Sequence, residues 1–155
     1  MKPQLGDTIL NRYTLVSSLR EEPGIQAWKA NDRVLAKDCQ LFIITDRSAF
    51  AAIDKLAGRI AATRPDRVIP ILKYRMESDV LLIVMPVDSG QCLTDYMADT
   101  AKPLSYSAIR SIIGECADVL REVIADTPSG IVITTDTVRV TTSGVQIADA
   151  PVSYT

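Results

Sequence analysis

The feature that most constrains the fold of this 155-residue chain is a change in the spacing of its apolar residues about halfway along. In the first half they form short β-branched or aromatic runs such as 41–45, which are typical of strands. In the second half they recur every three or four positions along one long segment, which is typical of an amphipathic helix. Together the two patterns predict an α+β fold.

The first half predicts five strands and one helix. Asp46 or Ser48 can cap the helix, whose apolar residues follow a helical spacing from Phe50 to Ile60, and Pro65 ends it. A polar turn at 77–79 separates the last two strands. The strands are predicted over 13–19, 25–30, 41–45, 68–74 and 80–85.

The second half predicts two helices and a hairpin. Residues 88–91 resemble a linker, which divides the chain into a first part, 1–87, and a second part, 88–155. A short helix is predicted over 93–97, and a long one after Ser105, its candidate cap. Pro128 to Gly130 should end the long helix, and a hairpin should follow over 138–141 and 145–147. The apolar face of the long helix comprises Ile109, Ile112, Ile113, Cys116, Leu120, Val123 and Ile124.

Composition excludes several function classes. The chain has no histidine, which removes every histidine-based triad, zinc site and haem ligand. The three cysteines, Cys39, Cys92 and Cys116, are far apart and form no C-x-x-C motif. We therefore expect each of them to behave as a small buried apolar residue in a reducing compartment. Because 17 basic side chains are balanced by 19 acidic ones, nucleic-acid binding is not expected.

The longest apolar runs, 41–44 and 80–87, are far shorter than the roughly 18–20 residues that a membrane helix needs. We therefore expect a soluble chain that makes no membrane contact of its own. Trp28, the single tryptophan, is expected to be partly buried, either in the core or at an interface.

The order of these elements carries a family resemblance through several short motifs. The segment 6–13 leads into the first strand, Ala30-Asn31-Asp32 ends the second, and 64–66 (Arg-Pro-Asp) follows the first helix. Residues 85–93, with Gly90, fit a hinge between two lobes, and 130–132 fit the approach to a catalytic loop. In this order and spacing the chain resembles the bacterial serine/threonine protein kinases. The resemblance implies a kinase-like N-lobe over 1–87 and a partial C-lobe over 88–155.

The resemblance places the nucleotide loop of a kinase at 19–30. That loop uses glycines so that its backbone can approach the phosphates. Its three glycine positions are Arg20, Glu22 and Ile25 here. Glu21 and Glu22 would place carboxylates beside a polyanion, which is a repulsive arrangement.

The third-strand lysine of a kinase should follow Asp32 by ten residues, and that position is Phe42. Val34 to Lys37 imitates the V-A-I-K signature, but Lys37 comes too soon after Asp32 and its segment does not have the pattern of a buried strand. The helix position of the partner glutamate falls near Lys55, with Asp54 as its neighbour. Neither arrangement reproduces the lysine–glutamate ion pair.

The catalytic loop is the clearest loss. Its His-Arg-Asp motif maps to 133–135, so that Thr135 replaces the catalytic base, and the segment after Asp136 is too short to hold the loop's lysine and asparagine. Asp-Phe-Gly maps to 149–151, where Asp149 is either a retained metal ligand or, more simply, a turn residue.

These losses imply a pseudokinase without a cofactor, a metal or enzymatic activity. The chain is similar in particular to the kinase-like cytoplasmic domain of actinobacterial lipid II flippases of the MviN type. This resemblance implies a protein-binding module that regulates cell-wall precursor export, with a forkhead-associated domain protein as a candidate partner. It also implies a cytoplasmic location, as the soluble domain of a membrane protein, and regulatory phosphorylation of the 153–155 tail as a further option.

Three other interpretations stay open. Lys37, Asp136 and Asp149 could support residual nucleotide chemistry if they converge in one cleft. The chain could instead be a structural or oligomerising domain, in which a homo-oligomer buries the apolar face of the long helix. It could also be an α+β domain that matches a kinase lobe by chance. As a kinase relative, it is expected to be a fragment or a minimal two-part domain.

Overall fold

A computed structural model describes residues 2–63, 67–77, 79–87, 90–99, 103–124, 133–141 and 144–148, without the side chains of 63 and 122–124. The chain divides into two compact units. The first comprises Met1–Ala61 with Pro70–Val87, and the second comprises Ala62–Ile69 with Asp88–Thr155. Across the described residues the fold is α+β, as the apolar spacing predicts.

The first unit is built on an antiparallel six-stranded sheet with the order β1-β2-β3-β4-β6-β5. The strand over Val80–Pro86 is a continuous apolar run as far as Met85, which is what a strand buried on both faces of a sheet requires. The strands are β1 (Thr8–Ile9), β2 (Tyr13–Glu22), β3 (Ile25–Asp32), β4 (Lys37–Ile44), β5 (Lys73–Glu77) and β6 (Val80–Pro86).

One helix, α1 (Phe50–Thr63), belongs mainly to this unit. It follows a short 3₁₀ turn, Arg47–Ala49, whose N-cap is Asp46: its carboxylate accepts a hydrogen bond from the Ser48 amide at 3.0 Å. A methyl group at Gly58 of α1 would lie 3.1 Å from the Tyr74 hydroxyl of β5. The helix therefore packs on the sheet face that carries Tyr74.

The sheet buries both of its faces at β4. Side chains alternate along a strand, so Leu41 and Ile43 face one way while Phe42 and Ile44 face the other. Leu41 and Ile43 join a core cluster with Tyr13 and Trp28. Trp28 is only 8% exposed, which makes it a core residue rather than a partly buried one.

The second unit holds a small antiparallel sheet with the order β7-β8-β9 and two helices. Ser105 caps the long helix, because its hydroxyl accepts a hydrogen bond from the Ala108 amide at 3.1 Å. The elements are β7 (Gln91–Cys92), α2 (Leu93–Ala98), α3 (Tyr106–Ile124), β8 (Val138–Thr141) and β9 (Gly144–Ile147).

One predicted strand is wrong. Residues 68–74 form no continuous strand: the Ile69 amide donates to the Ile147 carbonyl, and Val68 bridges Ile147 in parallel. Pro70, which has no amide hydrogen, interrupts the run. Strand β5 begins only at Lys73 and ends at Glu77.

Other elements of the structure also differ from the predicted ones, for physical reasons. Strand β4 starts at Lys37, four residues before its apolar run, because Lys37 to Gln40 pair with β3 although their side chains are polar or small. Strands β1 and β7 have two residues each and carry no recognisable pattern. The predicted helix stop at 128–130 and the motifs at 64–66 and 130–132 lie outside the described residues.

Cys39 is buried, as expected, whereas Cys92 and Cys116 are only partly buried. Burial raises the pKa of the Cys39 thiol to about 11, so this cysteine stays protonated at neutral pH. Within the described residues, no helix combines the length and the apolar content needed to cross a membrane.

Candidate functional site

The turn between β2 and β3 stands where the nucleotide loop of a kinase was predicted. Glu22 lies opposite Ile25, so only Pro23 and Gly24 form the turn. Gly24 has φ +78°, and proline fixes its own φ near −65°, a combination typical of a type II turn. Two of the three predicted glycine positions, Glu22 and Ile25, are thus a paired rung of a hairpin, and Arg20 pairs with Ala27.

The tip of this hairpin is fastened to the end of β4. The Gly24 carbonyl accepts hydrogen bonds from the amides of Thr45 at 2.8 Å and Asp46 at 3.3 Å. A methyl group at Gly24 would lie 2.7 Å from the Asp46 Cβ, which shows how closely the two segments approach. This glycine therefore allows packing within the unit rather than approach to a phosphate.

The hairpin tip carries negatively charged side chains, whereas a phosphate site needs positive charge. Glu21 forms an ion pair with Lys2 (2.5 Å), which holds the pKa of the Glu21 carboxyl below its usual range. Glu22 lies 3.3 Å from the Arg20 guanidinium. A cavity of about 530 Å³ beside the tip is lined by both glutamates, Lys2 and apolar residues that include Ile43. Two carboxylates in its wall disfavour a polyphosphate.

Phe42 occupies the position predicted for the third-strand lysine. It is 1% exposed, and its neighbours across the sheet are Ala27 on β3 and Ile83 on β6. Lys37, the rejected alternative, is exposed at the first position of β4, opposite Asp32. The core position therefore holds an apolar ring, and the lysine of this strand lies in solvent.

The helix position predicted for the partner glutamate is also exposed. Both Asp54 and Lys55 lie on the solvent side of α1, whereas Ile53, Leu56 and Ile60 are buried. The buried face of α1 is thus apolar. It offers no carboxylate, just as Phe42 on β4 offers no lysine.

The segment predicted as a catalytic loop is a tight turn that leads directly into β8. The amides of Thr137 and Val138 both donate to the Thr134 carbonyl, at 3.1 and 3.2 Å. Asp136 accepts a hydrogen bond from the Thr94 hydroxyl at 2.7 Å, and the Thr135 carbonyl accepts one from the Thr94 amide at 3.2 Å. Thr135 and Asp136 thus join this turn to α2, a structural task.

Asp149 lies outside the described residues. Among the residues that the structure does describe, no group of three or more carboxylates or cysteines is placed to hold a metal ion.

The α3 helix keeps part of its apolar face in solvent. Ile109 and Ile113 are 42% and 64% exposed, whereas Val119, which the predicted face omitted, is fully buried. Glu115 of α3 fastens the helix to β9, because its carboxylate accepts the Val145 amide at 2.6 Å and lies 3.2 Å from the Arg67 guanidinium.

Sequence reasoning missed a two-bond ion pair in the first unit. Arg12 donates two hydrogen bonds to Asp32, Nε to Oδ1 at 2.8 Å and Nη2 to Oδ2 at 2.7 Å. Asp32 also accepts the amides of Val34 and Leu35, so it organises the β3–β4 turn. The Ala-x-Asp motif marked Asp32, but nothing in the local pattern pointed to a partner twenty residues earlier.

Comparisons with known proteins place this fold. No protein-family model and no curated protein matches the sequence. Among solved structures, PpkA-294 in its apo form is 12% identical with a TM-score of 0.77, covering 97% of this chain and 62% of that one. The PknI kinase domain of Mycobacterium tuberculosis is 16% identical with a TM-score of 0.78, covering 97% and 63%. Rad53 1–466 in complex with AMP-PNP is 16% identical with a TM-score of 0.75, covering 90% and 38%.

The chain therefore spans less than two thirds of the length of these structures. At such identities the likeness establishes the fold alone. The architecture of this chain is a protein-kinase-like α+β fold with an N-lobe-like antiparallel sheet and helix.

Proposed function

We propose that this chain is a catalytically inactive kinase-like module that acts by binding other proteins. The observation that carries the proposal is Phe42, buried between Ala27 and Ile83 at the predicted position of the phosphate-binding lysine. Phosphoryl transfer depends on positioning and on neutralising phosphate charge. An apolar ring at that position supplies neither.

Two further features support the same proposal. The hairpin at the nucleotide-loop position is bonded to Thr45 and Asp46 and presents Glu21 and Glu22. The turn at the catalytic-loop position uses Thr135 and Asp136 to hold α2, so that Asp136 is already engaged. Both segments thus have a structural role at the positions where a kinase would carry its chemistry.

A more specific form of the proposal names the cellular setting and the partner. The resemblance to the kinase-like domain of MviN-type lipid II flippases supports a regulatory module at the cytoplasmic side of a membrane protein, controlling export of a cell-wall precursor. A forkhead-associated domain, which reads phosphothreonine, is the proposed partner. Titration of the phosphorylated chain with such a domain, against the unphosphorylated chain as control, tests this form.

Nucleotide-dependent stabilisation is the sharpest test of the inactive state. A ligand that binds only the folded state raises stability by roughly 2.7 kcal/mol at one hundred times its Kd. We expect the Tm of this chain to stay unchanged with millimolar Mg-ATP, while an active kinase domain measured in parallel shifts upward. A saturable upward shift would contradict the proposal and favour residual nucleotide chemistry. If Lys37→Ala or Asp136→Asn abolished that shift, those residues would be its basis.

A further inference from the structure

The open edge of the first sheet carries an unusual residue pattern. Strand β5 (Lys73–Glu77) ends the strand order, and within the part of the chain that the structure describes it pairs with β6 alone. Its two apolar side chains, Tyr74 and Met76, are 39% and 46% exposed. An exposed strand edge with apolar side chains is a template for pairing with another strand.

The sequence of β5 is complementary to itself when it is reversed. In antiparallel pairing centred on Arg75, Lys73 of one strand lies opposite Glu77 of the other, and Tyr74 lies opposite Met76. A two-fold axis repeats both pairs. Opposite charges and an aromatic–thioether contact are each favourable for directly opposed residues.

Arg75 would lie opposite Arg75 of the other chain across the two-fold axis. The Glu77 carboxylate lies 3.2 Å from the Arg75 guanidinium within the same strand, so in the paired strands it lies between its own Arg75 and Lys73 of the other copy. Lys73 and Arg75 would repel a basic strand, and Glu77 would repel an acidic one at its end. A second copy of β5 places the opposite charge at both ends.

From this pattern we infer that two copies of the chain associate edge to edge through β5, with Lys73 of each copy facing Glu77 of the other. The two sheets become continuous across a two-fold axis at Arg75. This inference concerns only the first unit, and it stands whether or not the proposed function is correct.

Charge reversal tests the pairing, with sedimentation equilibrium as the measurement. We expect the wild-type chain to dimerise, and Lys73→Glu and Glu77→Lys each to raise the Kd of the dimer about tenfold or more, because like charges then face each other twice. A mixture of the two single variants should recover dimers, since both ends of β5 are acidic in the first variant and basic in the second, so that opposite charges meet in both pairs. Lys29→Glu is the control: its side chain is 41% exposed and lies on the interior strand β3, away from the β5 edge.

A cross-link tests the register. Directly opposed residues of antiparallel strands have Cα atoms about 4.5–5.5 Å apart, within the range of a disulfide. Arg75→Cys should therefore form a 75–75 disulfide under mild oxidation, identified by mass spectrometry, whereas Arg33→Cys in the β3–β4 turn should not. A wild-type chain that stays monomeric at every concentration overturns the inference. So does a dimer that both charge reversals leave unchanged, and such a dimer would have to use another surface.

Discussion

Arg12, the residue before β2, holds Asp32, the last residue of β3, with two nitrogens of its guanidinium at 2.8 and 2.7 Å. The Asp32 side chain is almost fully buried, with 7% exposed, while 29% of the Arg12 side chain is exposed and its guanidinium carbon lies 5.2 Å from the centre of the Tyr13 ring. Two backbone amides complete the set of donors to Asp32. This arrangement lowers the pKa of Asp32 from 3.8 to about 2, chiefly through the hydrogen bonds from Arg12.

The lowered pKa of Asp32 predicts an acid-sensitive part of the stability. Because the folded pKa lies below the unfolded one, the contribution is complete above pH 3.8 and is lost as the pH falls toward 2. Asp32→Asn should lower the free energy of unfolding at pH 7 by about 2 kcal/mol. In urea titrations the difference from wild type should shrink through that window. Asp54→Asn, at an exposed carboxylate of α1, is the control with little effect, and a pH-independent Asp32→Asn difference would contradict the assignment.

The close packing of the hairpin tip predicts that a methyl group at Gly24 lowers the stability of the fold. Gly24→Ala should destabilise the chain through both a positive φ and a clash with Asp46, where the added Cβ would lie 2.7 Å from the Asp46 Cβ. Gly6 has a similar φ, +88°, but open space around it, so Gly6→Ala isolates the backbone cost of about 1 kcal/mol. Thermal unfolding should show Gly24→Ala as clearly the more damaging variant. Equal losses would mean that the tip can move away from Asp46 without cost.

Much of this architecture follows from apolar spacing, and the failures have identifiable causes. The continuous apolar run in β6 and the helical period in α3 are local signals, which is why those elements are predictable. The run at 68–74 fails because Pro70 interrupts it, and because Ile69 bonds to Ile147, far away in sequence. Two-residue strands such as β1 are too short to carry a period.

At the candidate site, too, some features can be predicted from the sequence and others cannot. The loss of the lysine at Phe42 can be predicted, because an ordered motif fixes its distance from Asp32. The contacts of Gly24 with Asp46 and of Arg12 with Asp32 depend on how strands pair. No spacing along the sequence encodes those partners.

Restoring the kinase lysine should harm this fold rather than repair it. Phe42→Lys would bury an ammonium group between Ala27 and Ile83, both apolar. We expect a loss of at least about 3 kcal/mol in denaturant unfolding, with no gain in Mg-ATP binding. Phe42→Leu, which keeps the site apolar, should cost clearly less. A stable, nucleotide-binding Phe42→Lys variant would show that the rest of the phosphate site is intact.

The contacts of Glu115 predict that its loss weakens the second unit. Its carboxylate accepts the Val145 amide at 2.6 Å and neighbours the Arg67 guanidinium at 3.2 Å, so one side chain joins α3, β9 and the 62–69 segment. Glu115→Ala would leave a part-buried amide without its acceptor, at a cost of about 1–3 kcal/mol.

Asp118→Ala on the same helix is the matched control for Glu115→Ala. Its carboxylate is 63% exposed and pairs with the nearby Arg121, an arrangement worth less than about 0.5 kcal/mol. Hydrogen exchange provides the local measurement. The Val145 amide should lose protection in Glu115→Ala and keep it in Asp118→Ala, whereas unchanged protection in both would mean that the carboxylate does not hold β9.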